Sequence, residues 1–348
     1  MIDWLVVGAG LSGCTVAERL AASGRTVLVI DKRSHVAGNA YDELDADGVL
    51  VHKYGPHVLH TNSDEVFAYL SRFTAWRPYE HRVLASVNGT LLPVPFNDRT
   101  MAHFGGNLEA AFEAIVRPYT RKQWGLEPEE LDRSVLDRIR PRPGTDDRYF
   151  LDKHQAMPAD GFTALAKRML DHPNIRIATG VTFADYVRAQ AAGRLPRTDM
   201  TVYTGPIDEF YQFRLGQLPY RSAEFEMVTS PEYGLIQPVG VINYPAEHVP
   251  FTRTTEIRHL TGQRCRVTVR IREYPMASGD PMWPVPRPES AALYARYREL
   301  AKLDEKRGLH FCGRLGTYRY LNIDQAVGQA LRLAGRLTAQ EKSTNGHE

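Results

Sequence analysis

The residues best suited to chemistry stand near the start of the chain. Gly8-Ala9-Gly10-Leu11-Ser12-Gly13 is a G-x-G-x-x-G run lodged between an apolar stretch and an amphipathic one. In that setting Gly8 allows a tight turn, Gly10 lets the backbone approach a pyrophosphate, and Gly13 lets a helix lie close on a strand. The helix start around Leu11 and Ser12 would turn unpaired N–H groups and a partial positive charge toward the phosphates. Asp31 follows about 20 residues on, at the spacing where a carboxylate accepts from ribose hydroxyls. The chemistry indicated is dinucleotide binding.

The elements that must hold these residues are legible beside them. Trp4–Val7 reads as a buried strand, Leu11–Ala22 as a helix stopped by Gly24, and Thr26–Ile30 as a second strand. Together they make a parallel crossover unit. Farther along, 82–94 alternates around Asn88-Gly89, a hairpin signal. Residues 107–116 and 128–139 read as helices, with Tyr119–Gly125 an irregular basic–aromatic connection between them. Strands are expected over 224–228, 239–243, 265–273 and 310–312, and helices over 289–303 and 324–337. The last ten residues are polar and expected to fray.

A chain of 348 residues exceeds one ordinary core and predicts two or three lobes. Lys plus Arg number 43 against 41 Asp plus Glu, so the net charge of +2 excludes a broad grip on nucleic acid. A local basic pocket for a small anion remains open. Cys14, Cys265 and Cys312 are far apart and lack metal-ligand spacing, which predicts reduced thiols and no metal site. The N-terminus has no basic leader region, and no apolar run approaches membrane-spanning length. A soluble, cytoplasmic protein is expected.

After Asp31 come Lys32, Arg33 and, beyond them, Gly38-Asn39. A glycine just past the second strand resembles the second signature of glutathione-reductase-type flavoproteins, where it lets the chain fold over the cofactor. Leu309–Arg314 resembles their last strand and its turn toward the flavin. A helix should follow, its N-terminus stabilising negative charge on a reduced flavin. FAD is therefore expected rather than NAD.

More specific stretches follow in order: His52–Asn62, Leu92–Asn97, Tyr119–Gly125, Tyr203–Asp208, Phe251–Arg253, and Gly313-Arg314-Leu315 with Tyr318 and Tyr320. In these segments, spread over nearly the whole chain, the sequence resembles the UDP-galactopyranose mutase family. The resemblance implies an α/β (α+β multidomain) fold built on a discontinuous FAD-binding Rossmann-like domain of glutathione-reductase type (1–75, 180–215 and 286–340). It adds a shortened helical lobe (98–150) and an antiparallel β-sheet substrate domain (76–97 and 216–285). The implied activity is isomerisation: interconversion of pyranose and furanose forms of an NDP-hexose through an adduct on N5 of the reduced flavin, with no net redox change.

The resemblance also assigns roles. Arg142 and Arg253 would meet the departing diphosphate, a task suited to a planar fork that keeps its charge. Asn97, Tyr119, Trp124, Tyr149, Tyr318 and Tyr320 would line the nucleotide and sugar pocket. Arg221 and Arg314 would hold the FAD side, together with Lys32, Gly38, Asn39 and Asn322, and His57 and His60 could lie over the flavin. Weighed singly, an arginine is more often a surface residue, an aromatic plain core, and a histidine a satisfied core group.

The chain also departs from the family pattern. It is shorter by a few dozen residues between Phe96 and Tyr119, the region of a mobile lid and part of the family's dimer contact. The aromatic pair that sandwiches uracil appears as Ile115 and Val116, a pocket tyrosine as Trp283, and an aspartate and histidine as Asn322 and Asp324. Losing aromatic faces removes stacking worth about 1–3 kcal/mol per base. The substrate is thus of UDP-galactose type or a GDP-linked hexose such as GDP-L-galactose or GDP-fucose. Two other classes compete: an FAD-dependent oxidoreductase of the amine-oxidase type, which shares the cofactor fold, and a non-catalytic nucleotide-sugar- or FAD-binding protein. A homodimer is a family-level expectation.

Overall fold

The first apolar run, Trp4–Val7, is wholly buried in the middle of a five-stranded parallel sheet. The structure, a computed structural model, describes residues 2–136, 139–195, 198, 200–231 and 234–344. In spatial order the strands are Ile175–Thr179, Val27–Asp31, Trp4–Val7, Met200–Tyr203 and Leu309–Phe311. Strands buried on both faces read as unbroken apolar runs, which is why WLVV and VLVI show no alternation. The helix Leu11–Ala22 packs against the helices Phe162–Leu170 and Ile323–Thr344, so the last helix of the chain closes on the first.

Gly13 makes that packing possible. A Cβ on Gly13 would stand 1.9 Å from the carbonyl oxygen of Gly8, a backbone atom that cannot swing aside. Gly13→Ala is therefore expected to cost at least about 3 kcal/mol by prying helix from strand. Urea unfolding of the variant checks this; a loss under about 1 kcal/mol would show that the helix can slide.

The second sheet has seven strands, in the order Trp283–Pro284, Tyr220–Ser230, Thr268–Met276, Arg253–Glu256, Val241–Asn243, Val83–Val87 and Thr90–Val94. The expected antiparallel sheet is mixed at one place: Val241–Asn243 runs parallel to Val83–Val87. These two strands lie far apart in the chain, so no tight turn fixes their relative direction. The Asn88-Gly89 turn does fix its own hairpin, with φ of 48° and 82° at its two residues.

The helical lobe differs most from expectation. Tyr119–Gly125 is not irregular: Arg117–Trp124 is a helix, stopped by Gly125 at φ 67°. A wide π turn over Phe112–Val116 leads into it, just ahead of Pro118, whose missing N–H could not sustain an ordinary helical ladder. Its helical pattern is hidden because Thr120 and Trp124 alone are buried, while Arg117 spends its charge on Glu113, Glu127 and Glu129. The helix expected over 128–139 is instead a 3-10 turn, Pro128–Glu130, and a short helix, Arg133–Leu136. Residues 137–138 of that expectation lie outside the described residues.

At the far end, Ile323–Thr344 runs well past the expected stop at 337, through residues expected to fray. The stretch from Ala339 to Lys342 is made of good helix formers. Among the described residues no helix is long and apolar enough to cross a membrane, and no group of three or more potential metal ligands is gathered. Cys14 and Cys312 are buried free thiols.

Candidate active site

A cleft of about 860 Å³ opens where the parallel strands end, and the G-x-G-x-x-G loop forms its floor through Gly8, Gly10, Leu11 and Ser12. Gly8 sits at φ 103°, and a Cβ there would fall 2.0 Å from Oγ1 of Thr204. A Cβ on Gly38 would fall 2.8 Å from Cα of Gly10, so two loops cross backbone to backbone. The helix Leu11–Ala22 begins with no side-chain cap and no acidic residue in its first turn, leaving its N–H groups for a bound anion. Asp31 accepts from the N–H groups of Ala9 (2.7 Å) and Arg33 (2.8 Å). A carboxylate with two such bonds retains lone pairs for ribose hydroxyls. Lys32 and Asn39 also line the cleft, and Lys32 reaches Asp280 across 3.0 Å. These groups fit the pyrophosphate and ribose of FAD. Gly13 supports the cleft from behind by its packing.

A second cavity, of about 560 Å³, adjoins the cleft; Asn39, His57, Arg314, Asn322 and Ile323 line both. Tyr119, Trp124, Tyr149, Tyr320, His60 and Arg253 complete the set of sequence-predicted residues brought to this cavity. Its cationic side is held by buried partners. Arg253 donates from Nε and Nη2 to one oxygen of Glu273, at 2.8 and 2.7 Å. Glu273 is 1% exposed and its other oxygen has no hydrogen-bond partner. Burial opposes the charge on Arg253, but Glu273 and Tyr119 outweigh it and hold the pKa above its ordinary value. Arg314 donates to the carbonyls of Leu321 and Met282, with its guanidinium 5.5 Å from the ring centre of Tyr320. No Asp or Glu lines this cavity among the described residues, so the charges its wall presents are the guanidiniums of Arg253 and Arg314, which suit a diphosphate.

His57 is a neutral member of the wall. Nδ1 of His57 lies 3.0 Å from the carbonyl of Gly55, which makes Nδ1 the protonated nitrogen. Burial, then the nearby His52 and Arg314, push its pKa down to about 3. His60 stacks flat on Phe150, with ring centres 3.5 Å apart, and its Nδ1 contacts Asp152 at 3.1 Å.

Besides Gly13, four predicted residues line neither space, their polar groups being spent inside the protein. Asn97 is 2% exposed and caps the helix Asp98–His103 by accepting from the N–H groups of Arg99 and Thr100. Arg142 donates to the carbonyls of Arg148 and Tyr149, at 2.9 and 3.1 Å. Tyr318 donates its hydroxyl to the carbonyls of Pro219 and Val285. Arg221 donates to the carbonyl of Gln123, beside Trp124.

Conversely, His81, Gln123 and Asn243 line the cavity without having been singled out. Asn243 stands opposite Arg253 in an antiparallel pair. The loop between them is gripped by Lys122, whose ammonium donates to the carbonyls of Tyr244, Ala246 and Phe251. The signal for Asn243 was its place at a strand end, a weak one until its partner strand is known.

Comparison with known proteins agrees with this geometry. Residues 114–320 match the family model described as UDP-galactopyranose mutase, and residues 6–73 match that of an NAD(P)-binding Rossmann-like domain. The chain is 35% identical to a probable UDP-galactopyranose mutase of Klebsiella pneumoniae, over 95% of this chain and 93% of that one. It is 31% identical to a dTDP-fucopyranose mutase of Escherichia coli, over 95% and 97%. A crystal structure of reduced UDP-galactopyranose mutase shares the fold, with a TM-score of 0.78 at 14% identity, covering 98% of this chain and 96% of that one.

Proposed function

The chain belongs to the UDP-galactopyranose mutase family, and from that premise we propose that it acts on a nucleoside diphosphate hexose whose base is not held between aromatic rings. Its reaction is the interconversion of pyranose and furanose forms, an isomerisation and not the oxidation an amine-oxidase-type enzyme would perform. FAD, when bound and reduced, supplies the nucleophile for the anomeric carbon. The chain's own residues supply charge, orientation and dryness.

The observation that carries this reading is the acid-free cavity joined to the cofactor cleft, with Arg253 and Arg314 in its wall. Both guanidiniums keep their charge at any working pH and can follow a diphosphate as it leaves and returns. Tyr119, Tyr149 and Tyr320 offer hydroxyls to the sugar or the phosphates, and the rings of Trp124 and Phe150 narrow the space available to water. His57, neutral and donating Nδ1–H to Gly55, is no general acid near neutral pH.

The base would enter the lobe formed by Ile115, Val116, Val135, Leu136 and Ile139. Branched aliphatic chains contact the faces of a base without the stacking gain of aromatics. Thr120 and Gln123 offer polar groups to its edge. We favour a GDP-linked hexose such as GDP-L-galactose or GDP-fucose. The dithionite-reduced enzyme should form a furanose isomer of GDP-L-galactose, and convert UDP-galactose with kcat/KM at least about tenfold lower, the effect of about 1.4 kcal/mol. Anion-exchange chromatography with NMR reads both. Tight binding of UDP with none of GDP would overturn the base assignment, and turnover with stoichiometric oxygen uptake would overturn the mutase reading. The buried free thiols support a cytoplasmic location. A homodimer remains the family-based expectation, tested by light scattering.

A further inference from the structure

The turn that delivers His57 to the boundary of the two spaces is held by a residue outside both. His52 is 1% exposed, and its Nδ1 accepts the backbone N–H of His57 at 3.1 Å. An imidazole nitrogen that accepts carries no proton, so the ring proton of His52 resides on Nε2. That nitrogen has no hydrogen-bond partner and stands 3.9 Å from Oδ2 of Asp42. Asp42 and His52 face each other in a short antiparallel ladder, so their side chains share one face. Asp42 is fixed in turn, accepting from the N–H groups of Phe162 and Thr163 at the start of a helix.

The turn itself has no other slack. Lys53 N–H donates to Tyr41, His57 Nδ1 contacts the Gly55 carbonyl, and Gly55 at φ 83° lies where a Cβ would meet Phe225 at 2.8 Å and Glu273 at 3.3 Å. Glu273 is the partner of Arg253. One five-residue turn thus carries the boundary histidine and runs beside the carboxylate behind the cavity arginine.

We propose that His52 is a positioning residue: through the peptide N–H of His57, backed by Asp42, it sets the turn that places His57 between cofactor and substrate. It touches neither ligand. Removing the acceptor while keeping a planar ring, as in His52→Phe, leaves the His57 N–H buried and unpaired and frees the turn. His52→Asn restores an acceptor at the place of Nδ1, whereas His52→Gln puts its amide one carbon farther out.

The first arm needs no catalysis: amide hydrogen exchange of the peptide covering 53–58. It should accelerate about tenfold or more in His52→Phe and His52→Gln and stay near the parent rate in His52→Asn. The second arm rests on the mutase reading. There kcat should fall about 10- to 100-fold in His52→Phe with KM changed less than about threefold, and recover in His52→Asn. The absorption band of bound FAD should move in step with kcat. Unchanged exchange in His52→Phe, or equal acceleration in His52→Asn and His52→Gln, overturns the proposal. Should His52→Phe not fold, the Asn and Gln pair still decides. Exchange behaving as stated while no substrate turns over would fault the mutase reading and leave the positioning role standing.

Discussion

Arg253→Met should lower kcat/KM by about 100- to 1,000-fold and cost the fold about 3–5 kcal/mol, because it removes a phosphate-facing charge and strands Glu273 in the interior. The two losses have different origins and can be separated. Glu273 is buried, with one oxygen serving Arg253 and the other unpartnered, so without the guanidinium it is an uncompensated charge. In the double variant Arg253→Met with Glu273→Gln, the stranded charge is gone, and most of the stability should return while activity does not. Arg253→Lys should keep a charge but lose the fork that bonds Glu273 and phosphate together, giving an intermediate kcat/KM. Urea unfolding and steady-state assays on the reduced enzyme read the two effects. Activity returning with stability in the double variant would reduce Arg253 to a structural ion pair.

That separation bears on what the sequence could reveal. The crossover unit and its glycines were legible because their logic is local: a turn, a helix start and a carboxylate within one short stretch. The reach of a side chain was not. Arg142 and Arg253 were given the same role by resemblance, yet Arg253 faces the cavity and Arg142 holds the carbonyls of Arg148 and Tyr149. Tyr320 lines the cavity while Tyr318, two residues earlier and at φ 45°, turns its hydroxyl into the protein. A resemblance transfers the neighbourhood; the rotamer and the backbone angle decide the rest. The helix Arg117–Trp124 was missed for another reason. Its outward face is all charge and ion pairs, so no apolar stripe announced it, and its stability comes from Trp124 within the fold and from the Arg117 network without. Asn243 and His81 required knowledge of which strands pair, which no local pattern carries.

The remaining large effect is an acid instability set by buried histidines. Burial pushes the pKa of His52 down to about 4, and burial, followed by Arg253 and His60, pushes that of His81 down to about 3. Both are at most 8% exposed. In the unfolded chain each would titrate near the ordinary value of about 6.5. Between that value and the folded one the unfolded state binds more protons, so stability is complete above about pH 6.5 and is lost as pH falls toward 4. Each histidine should contribute a slope of up to about 1.4 kcal/mol per pH unit in that window. Asp42, whose carboxyl burial holds above its usual range, works with the opposite sign and offsets part of this at the acid end. Asp146, held by Arg148 at about 2, takes up its proton mostly below the window. Urea unfolding from pH 7 to pH 4.5 should therefore show a falling free energy. His52→Asn, which removes one titrating group while keeping its acceptor, should flatten that slope by about one proton's worth. A slope unchanged by the substitution would mean that His52 protonates in the folded protein, and that its hold on the His57 N–H is weaker than its geometry implies.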